Sequence, residues 1–197
     1  TSGYRAVGDE PQGSYTHGPS ATWQRPSPEP LFAPPGSKYA YWDSAMNELA
    51  LVLTRIAGEP IEELFRRRIA EPIGMDADRW DWGDFGEIDG LVVNGGSGNQ
   101  GKHVRITARE AARLGLLFLN RGNWNGRQLL SAEWVRLATA VQVPPSLPLG
   151  HLASGIDGRG VYGLNWWVNG LQPDGLRRHP DLPGNLFWAA GHNNNFT

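Results

Sequence analysis

The placement of proline and glycine limits this chain more than any other feature. Gly 26 and Pro 15 together make about a fifth of it, against a usual share of about 12%. Proline cannot donate to a helix or ladder and glycine resists fixed geometry, so regular elements are confined to the stretches between them. Pro26, Pro28, Pro30, Pro34 and Pro35 crowd one region, and Pro144, Pro145 and Pro148 another. Long, shaped loops are therefore expected rather than a compact helical bundle. Residues 1–40 have two readings: a flexible tail, or an ordered cleft wall that gives cover to Tyr4, Tyr15, Trp23, Leu31 and Phe32.

Between the breakers, four helices are expected. The first runs from about Ser44 to Ala57, with Met46, Leu49, Ala50, Leu53, Ile56 and Ala57 at the helical period. Asp43 or Ser44 can cap its start, and Gly58 supplies the stop. The second spans about Pro60 to Ala70, with Pro60 in its first turn, Glu62/Arg66 and Glu63/Arg67 as spaced pairs, and Pro72 beyond its end. Residues Met75 to Val104 read as loop. The third helix starts at Thr107, where Thr107-Ala108-Arg109-Glu110 fits a capping box, and runs to about Asn120. Leu114, Leu116, Leu117, Phe118 and Leu119 make it apolar on most sides, which predicts deep burial. Asn123-Trp124-Asn125-Gly126 reads as a turn, and Ser131 caps a short fourth helix around Glu133 to Thr139. Strands are expected over Gly160–Val168 and Asn185–Thr197. Loop, then helices, then strands is an α+β order rather than an alternating parallel-sheet one.

Composition narrows the function. The chain of 197 residues suits one domain burying roughly 70% of its unfolded surface. Net charge is −2 with no block of like charge, so neither nucleic acid nor an anionic membrane is an expected partner. Cys is absent, which removes disulfides, thiolate metal sites and a Cys nucleophile. The longest strongly apolar run, Leu114 to Leu119, is too short to span a bilayer. Thr1 stands where a Met would start a gene product, and Phe196-Thr197 ends a strand-like segment. Both ends read as cuts.

Acyl transfer through serine needs a nucleophile, a base and oxyanion donors. No Gly-x-Ser-x-Gly elbow occurs. Ser-x-x-Lys is also absent, because Lys38 and Lys102 follow Pro35 and Asn99 at that spacing. Tyr41, in Tyr41-Trp42-Asp43 before the first helix, has two readings: an anchoring ring at the core edge, or a proton carrier in a cleft. In Gly191-His192-Asn193-Asn194-Asn195-Phe196, three amides after a His make poor strand composition. That row reads either as a bulge or edge turn, or as a contact with something polar. His151, Asp157, Asp174, His179 and Asp181 lack the spacing that sets metal ligands on one face, and neither metal nor cofactor is expected.

Taken in order, these stretches resemble the serine β-lactamase-like and penicillin-binding-protein superfamily, in its branch of class C β-lactamases, carboxylesterases and nylon-oligomer hydrolases. Thr1-Ser2-Gly3, Tyr41-Trp42-Asp43, Glu71-Pro72-Ile73-Gly74-Met75, the helix Thr107 to Gly115, Gly122 to Trp134, and Tyr162-Gly163-Leu164-Asn165-Trp166-Trp167 match in order and spacing. Gly191-His192-Asn193 falls where that family places Lys-Thr-Gly or a His-containing variant. The resemblance implies a bacterial hydrolase of esters or amides working through an acyl-enzyme, with Ser-x-x-Lys lying upstream of Thr1. It makes Tyr41 the proton shuttle and sets His192 in place of the third-motif Lys. It places Asp43, Asn193, Asn194 and Asn195 at the substrate, with a backbone N–H near Asn194 or Asn195 completing the oxyanion hole. Two departures stand out. Asp43 replaces an amide donor with an acceptor, and Asn194 replaces a glycine, which argues against classical β-lactam turnover.

The resulting expectation is one incomplete α+β domain over 1–197: cleft loops in 1–40, a helical region in 41–140, then loop and strands of an antiparallel sheet in 141–197. It would be inactive alone and would depend on the missing N- and C-terminal parts or a partner chain. The resemblance favours an extracytoplasmic location. Two rivals remain. One is a non-catalytic glycan or peptidoglycan module built on Trp23, Trp42, Trp80, Trp82, Trp124, Trp166 and Trp167; the other is a Zn hydrolase.

Overall fold

A computed structural model describes Ser2 and residues 33–41, 43–95, 103–151, 156–191 and 195–196; for Asp43, Ser44, Glu48, Phe85, His151, Asn195 and Phe196 it describes the backbone alone. Strand β1 (Tyr39–Ala40) leads through Tyr41 into helix α1 (Asp43–Ala57). The helix stops as expected: Gly58 turns left-handed at φ 68° and its N–H donates to the Thr54 carbonyl at 2.9 Å. Which face turns inward is less obvious from the sequence. Asn47, Ala50, Leu51 and Thr54 are buried, whereas Leu49, Val52, Leu53 and Ile56 form an exposed apolar row, with Ile56 78% accessible. Thr54 fits the interior because its hydroxyl donates to the Ala50 carbonyl at 2.9 Å.

Helix α2 (Ile61–Phe65) continues as a single π turn over Arg66–Ala70. Pro60 stands at the N-cap rather than inside the first turn. The free Glu62 N–H donates to Asn94 Oδ1 at 2.8 Å, so a buried residue far along the chain caps the helix. Glu62 and Arg66 pair at 2.7 Å as expected. The Glu63–Arg67 pair does not form: Arg67 reaches Glu59 at 2.6 Å. A π turn bonds i to i+5, and that change of winding disturbs the four-residue spacing.

The stretch from Met75 to Val104 is not mere loop. Strand β2 (Trp80–Trp82) pairs antiparallel with β5 (Val104–Ile106), and β3 (Asp84–Ile88) with β4 (Leu91–Asn94). Asp89 and Gly90, at φ 54° and 78°, make the tight turn between β3 and β4. Asp-Gly suits the two left-handed positions of a hairpin turn. Against this hairpin and α2 lies the inner face of α1.

Helix α3 (Ala108–Leu119) begins after Thr107, but the capping box is not formed: Thr107 makes no side-chain cap bond. Glu110 is instead buried, accepting from the Asp76 N–H at 3.4 Å and facing Arg113 Nε at 3.2 Å. Nor is α3 deeply buried all round. Leu117 is fully enclosed, while Leu116 and Leu119 are exposed. Leu117 joins Ala70, Ile73, Met75 and Trp80 in a core flanked by Phe65, Ile69, Ile106 and Leu114. The expected turn is present between β6 (Asn123–Trp124) and β7 (Arg127–Gln128), with Asn125 and Gly126 left-handed at φ 49° and 86°. Ser131 caps α4 (Ala132–Ala138) by accepting from the Trp134 N–H at 3.0 Å.

The last third differs from the two strands expected. Strand β8 (Leu149–His151) pairs parallel with β1. Within Gly160–Val168 only β9 (Trp167–Val168) is a strand, because Asn165 turns left-handed at φ 62° and the chain folds back so that Tyr162 bridges Trp167. Among the described residues of 185–197 there are three short strands. Strand β10 (Phe187–Trp188) pairs with β9, and β11 (Ala190–Gly191) pairs antiparallel with β12 (Asn195–Phe196). The architecture is α+β.

Candidate active site

Tyr41 sits where β1 passes into α1, half-buried. Its ring stacks on Trp167 with centroids 6.2 Å apart and planes at 23°. Tyr162 meets the same pair edge-on, 6.4 Å from Tyr41 and 4.8 Å from Trp167. The parallel pairing of β1 and β8 and the Tyr162–Trp167 bridge bring distant segments together here. Aromatic pairs at such spacings add about 0.5–1.5 kcal/mol beyond their burial, enough to fix the plane of the Tyr41 ring.

Behind Tyr41 the wall is close-packed. Tyr39 is 3% exposed, and its hydroxyl makes no well-formed hydrogen bond, with the Gly158 backbone beside it. Burial first, then the neighbouring Tyr162, Tyr41 and Asp157, push its ionisation well above the ordinary phenol range. A Cβ on Gly158 would lie 2.4 Å from that hydroxyl, so only glycine fits. The segment is held by a forked pair: Arg159 Nη2 and Nε donate to Asp157 at 2.8 and 3.0 Å, and Nη1 donates to the Leu147 carbonyl at 3.1 Å. The hydrogen bonds from Arg159 hold the Asp157 carboxyl below its usual range.

Of the residues expected at the site, Tyr41 alone has a described side chain. Asp43 opens α1 and Asn195 lies in β12, each with its backbone alone described; His192, Asn193 and Asn194 lie outside the described residues. Gly191 and Asn195, on either side of those three, are paired with each other. Sequence reasoning matched Tyr162 and Trp167 as part of a longer motif, and Trp167 also in the glycan-module reading, and did not place them beside Tyr41. It did not single out Arg178, whose guanidinium lies 5.3 Å from the Trp167 ring centre.

Several of the described tryptophans are used internally. Trp80 and Trp166 are buried, Trp80 against Phe65 and Arg66, and Trp166 against Phe118 and Phe187. Trp82 donates to the Gly95 carbonyl at 2.6 Å. On the Trp166 side lies a cavity of about 470 Å³. Phe65, Ile69, Leu114, Phe118 and Leu130 line it with Trp166, and none of the described residues that line it is titratable. Among the described residues no three His, Asp or Glu side chains gather as a metal site: Asp157 is engaged by Arg159, Asp174 accepts from the Leu176 N–H, and His179 packs on Trp188. No helix among them is long and apolar enough to cross a membrane.

Such a fold is that of the β-lactamase-like superfamily. The β-lactamase family model matches residues 1–196, and the chain belongs to that family. Among solved structures it is similar to a Bacteroides dorei DSM 17855 protein described as a β-lactamase (TM-score 0.58, 22% identity, 84% of this chain and 46% of that one). It is also similar to a Bacillus anthracis protein described as a 6-aminohexanoate-dimer hydrolase (TM-score 0.49, 22% identity, 81% and 34%). A third is the octameric penicillin-binding protein homologue of Pyrococcus abyssi (TM-score 0.46, 15% identity, 69% and 31%). The chain thus spans less than half the length of each of these structures. No curated protein matches it at a significant level.

Proposed function

We propose that this chain is part of a serine hydrolase that cleaves an ester or amide through an acyl-enzyme, with Tyr41 as its proton shuttle. The observation that carries the reading is the fixed presentation of Tyr41 at the β1–α1 junction by Trp167 and Tyr162, in a member of the β-lactamase family. The 197 residues hold no Ser-x-x-Lys, so the nucleophile comes from sequence outside them. The exposed row Leu49, Val52, Leu53 and Ile56 offers a surface on which the remainder of the domain can pack.

In this mechanism the serine oxygen adds to the substrate carbonyl as its proton passes toward Tyr41, and the proton then goes to the leaving oxygen or nitrogen as that bond breaks. Water cleaves the acyl-enzyme by the reverse relay. His192 occupies the third-motif position and orients the substrate or the Tyr41 hydroxyl. Asp43, Asn193, Asn194 and Asn195 contact substrate, and a backbone N–H near Asn194 or Asn195 faces the oxyanion. The glycan-module alternative is not favoured, since Trp80, Trp82, Trp166 and Trp167 are occupied by internal contacts.

Fluorophosphonate labelling read by intact mass, together with Tyr41→Phe in the serine-bearing protein, tests this. The 21.6 kDa chain should take no adduct, whereas the serine-bearing protein should take one. Tyr41→Phe should cut kcat/KM by about 10²–10⁴. A stoichiometric adduct on the 197-residue chain, or an unchanged rate in the variant, refutes it.

A further inference from the structure

The cavity beside Trp166 is a large apolar feature that the mechanism above does not use. Its volume, about 470 Å³, is about three times the 150 Å³ that suffices for a benzene molecule. It also falls within the range of roughly 300–1,000 Å³ typical of small-molecule sites.

Two departures from regular backbone shape its walls. Phe65 ends α2 and Ile69 belongs to the π turn that follows, and both side chains face the cavity. Opposite them, Leu114 and Phe118 stand one turn apart on α3. These four are half-buried, whereas Ala70 and Leu117 beside them are fully enclosed. Asn165 holds the left-handed conformation at φ 62°, and the reversal there sends Trp166 into the wall. Turns of the π type recur at functional sites, and left-handed residues other than glycine gather at ligand clamps.

The opening is marked by the two exposed lining residues, Trp134 and Asn165. Trp134 is 49% accessible, and its N–H donates to the Ser131 side chain that caps α4, so its backbone is fixed. The mouth thus offers one flat apolar ring and one neutral carboxamide, which both donates and accepts hydrogen bonds.

From this we infer that the cavity is a binding site for a neutral compound with an unbranched alkyl chain of about eight to ten carbons. The chain fills the interior, where a flexible hydrocarbon adapts to walls drawn from several segments. Its hydroxyl or ester end stays at the mouth beside the Asn165 carboxamide. A charged end is disfavoured, because none of the described lining residues is titratable and an ion there loses water without gaining a partner. Neither the site at Tyr41 nor its chemistry is needed for this binding.

Calorimetric titration of the serine-bearing protein and of the 197-residue chain with 1-alkanols from butanol to dodecanol tests the inference. Both should bind one molecule, with affinity rising about three- to four-fold per added methylene and levelling off near eight to ten carbons. Octanoate should bind at least about 10-fold more weakly than 1-octanol. Ala111→Met extends a side chain from α3 into the cavity and should move the plateau to chains about three carbons shorter. Trp134 is exposed, so Trp134→Ala probes the mouth without touching the core; it should weaken 1-octanol binding several-fold and leave the thermal midpoint unchanged. Affinity that ignores chain length, octanoate bound as tightly as 1-octanol, or unchanged 1-octanol binding in Trp134→Ala overturns the inference. So does a plateau unmoved in folded Ala111→Met. Binding by the 197-residue chain that vanishes in the serine-bearing protein overturns it as well, since the cavity is then a seat for the rest of the domain.

Discussion

Replacing Asn169 by Ala removes the side chain around which the 177–183 segment is organised. The amide has two hydrogens shared among three carbonyls, and Oδ1 accepts one backbone N–H. Three effective hydrogen bonds are therefore lost, each with a net value of about 1 kcal/mol. The segment lies close to the surface, so the abandoned carbonyls can recruit water once it loosens, and the full desolvation penalty does not apply. The expected loss is about 3 kcal/mol, which for a chain of this size lowers Tm by about 6–12 °C. Asn169→Asp keeps the shape but sets an oxygen against three carbonyl oxygens, so it should cost at least as much as the truncation. Urea unfolding followed by both tryptophan fluorescence and far-UV circular dichroism measures the effect, and amide exchange at His179 localises it. An Asn169→Ala loss below about 0.5 kcal/mol, or an Asp variant milder than Ala, would refute the claim that this side chain holds the segment.

Two further outcomes follow from the wall behind Tyr41. Tyr39→Phe deletes a buried hydroxyl that makes no well-formed hydrogen bond and should stabilise the fold by about 1 kcal/mol; a loss of that size in urea unfolding would mean that the hydroxyl is bonded to the nearby Gly158 backbone. Because burial raises the Tyr39 ionisation, the unfolded chain releases that proton first, so its contribution is complete below about pH 10 and fades as pH rises; Tyr39→Phe should flatten this alkaline limb. The Asp157 carboxyl is depressed by Arg159, so its stabilisation is present above about pH 4 and is lost as pH falls through the lower folded value. Asp157→Asn should remove that acid limb and cost about 1 kcal/mol or less at neutral pH, since the pair is partly solvated; an unchanged acid limb in thermal melts would contradict the assignment.

Helix positions were legible in the sequence because their signals are local. Gly58 ends α1, Ser131 caps α4, and Asn125-Gly126 turns β6 into β7, each using atoms within a few residues. What failed was whatever depends on distant neighbours. The apolar row of α1 points outward because β4 and α2 take the side bearing Asn47 and Thr54. The Thr107 capping box fails because the Asp76 N–H and Arg113 draw Glu110 inward. The strands between Trp80 and Ile106 are three to five residues long, too short to set up a clear alternation, although Asp89-Gly90 was a readable hairpin signal.

The site divides along the same line. Tyr41 stood out by its place before a helix, but its companions come from segments far along the chain, and nothing in their spacing points back to it. The informative detail is the doublet Trp166-Trp167. Trp166, immediately before β9, packs against Phe118 and Phe187, while Trp167, the first residue of β9, turns to Tyr41, Tyr162 and Arg178. One ring therefore belongs to the core and its neighbour to the site, although hydropathy scores them alike. The separation has a functional consequence. The apolar cavity beside Trp166 and the wall beside Trp167 are lined by consecutive residues at the start of β9, so anything that shifts Trp166 to fill the first also shifts the ring that orients Tyr41. Pairing with β10 and the Asn169 hub immediately after β9 resist that shift, which is why a buried asparagine with no chemistry of its own matters to a tyrosine it does not touch.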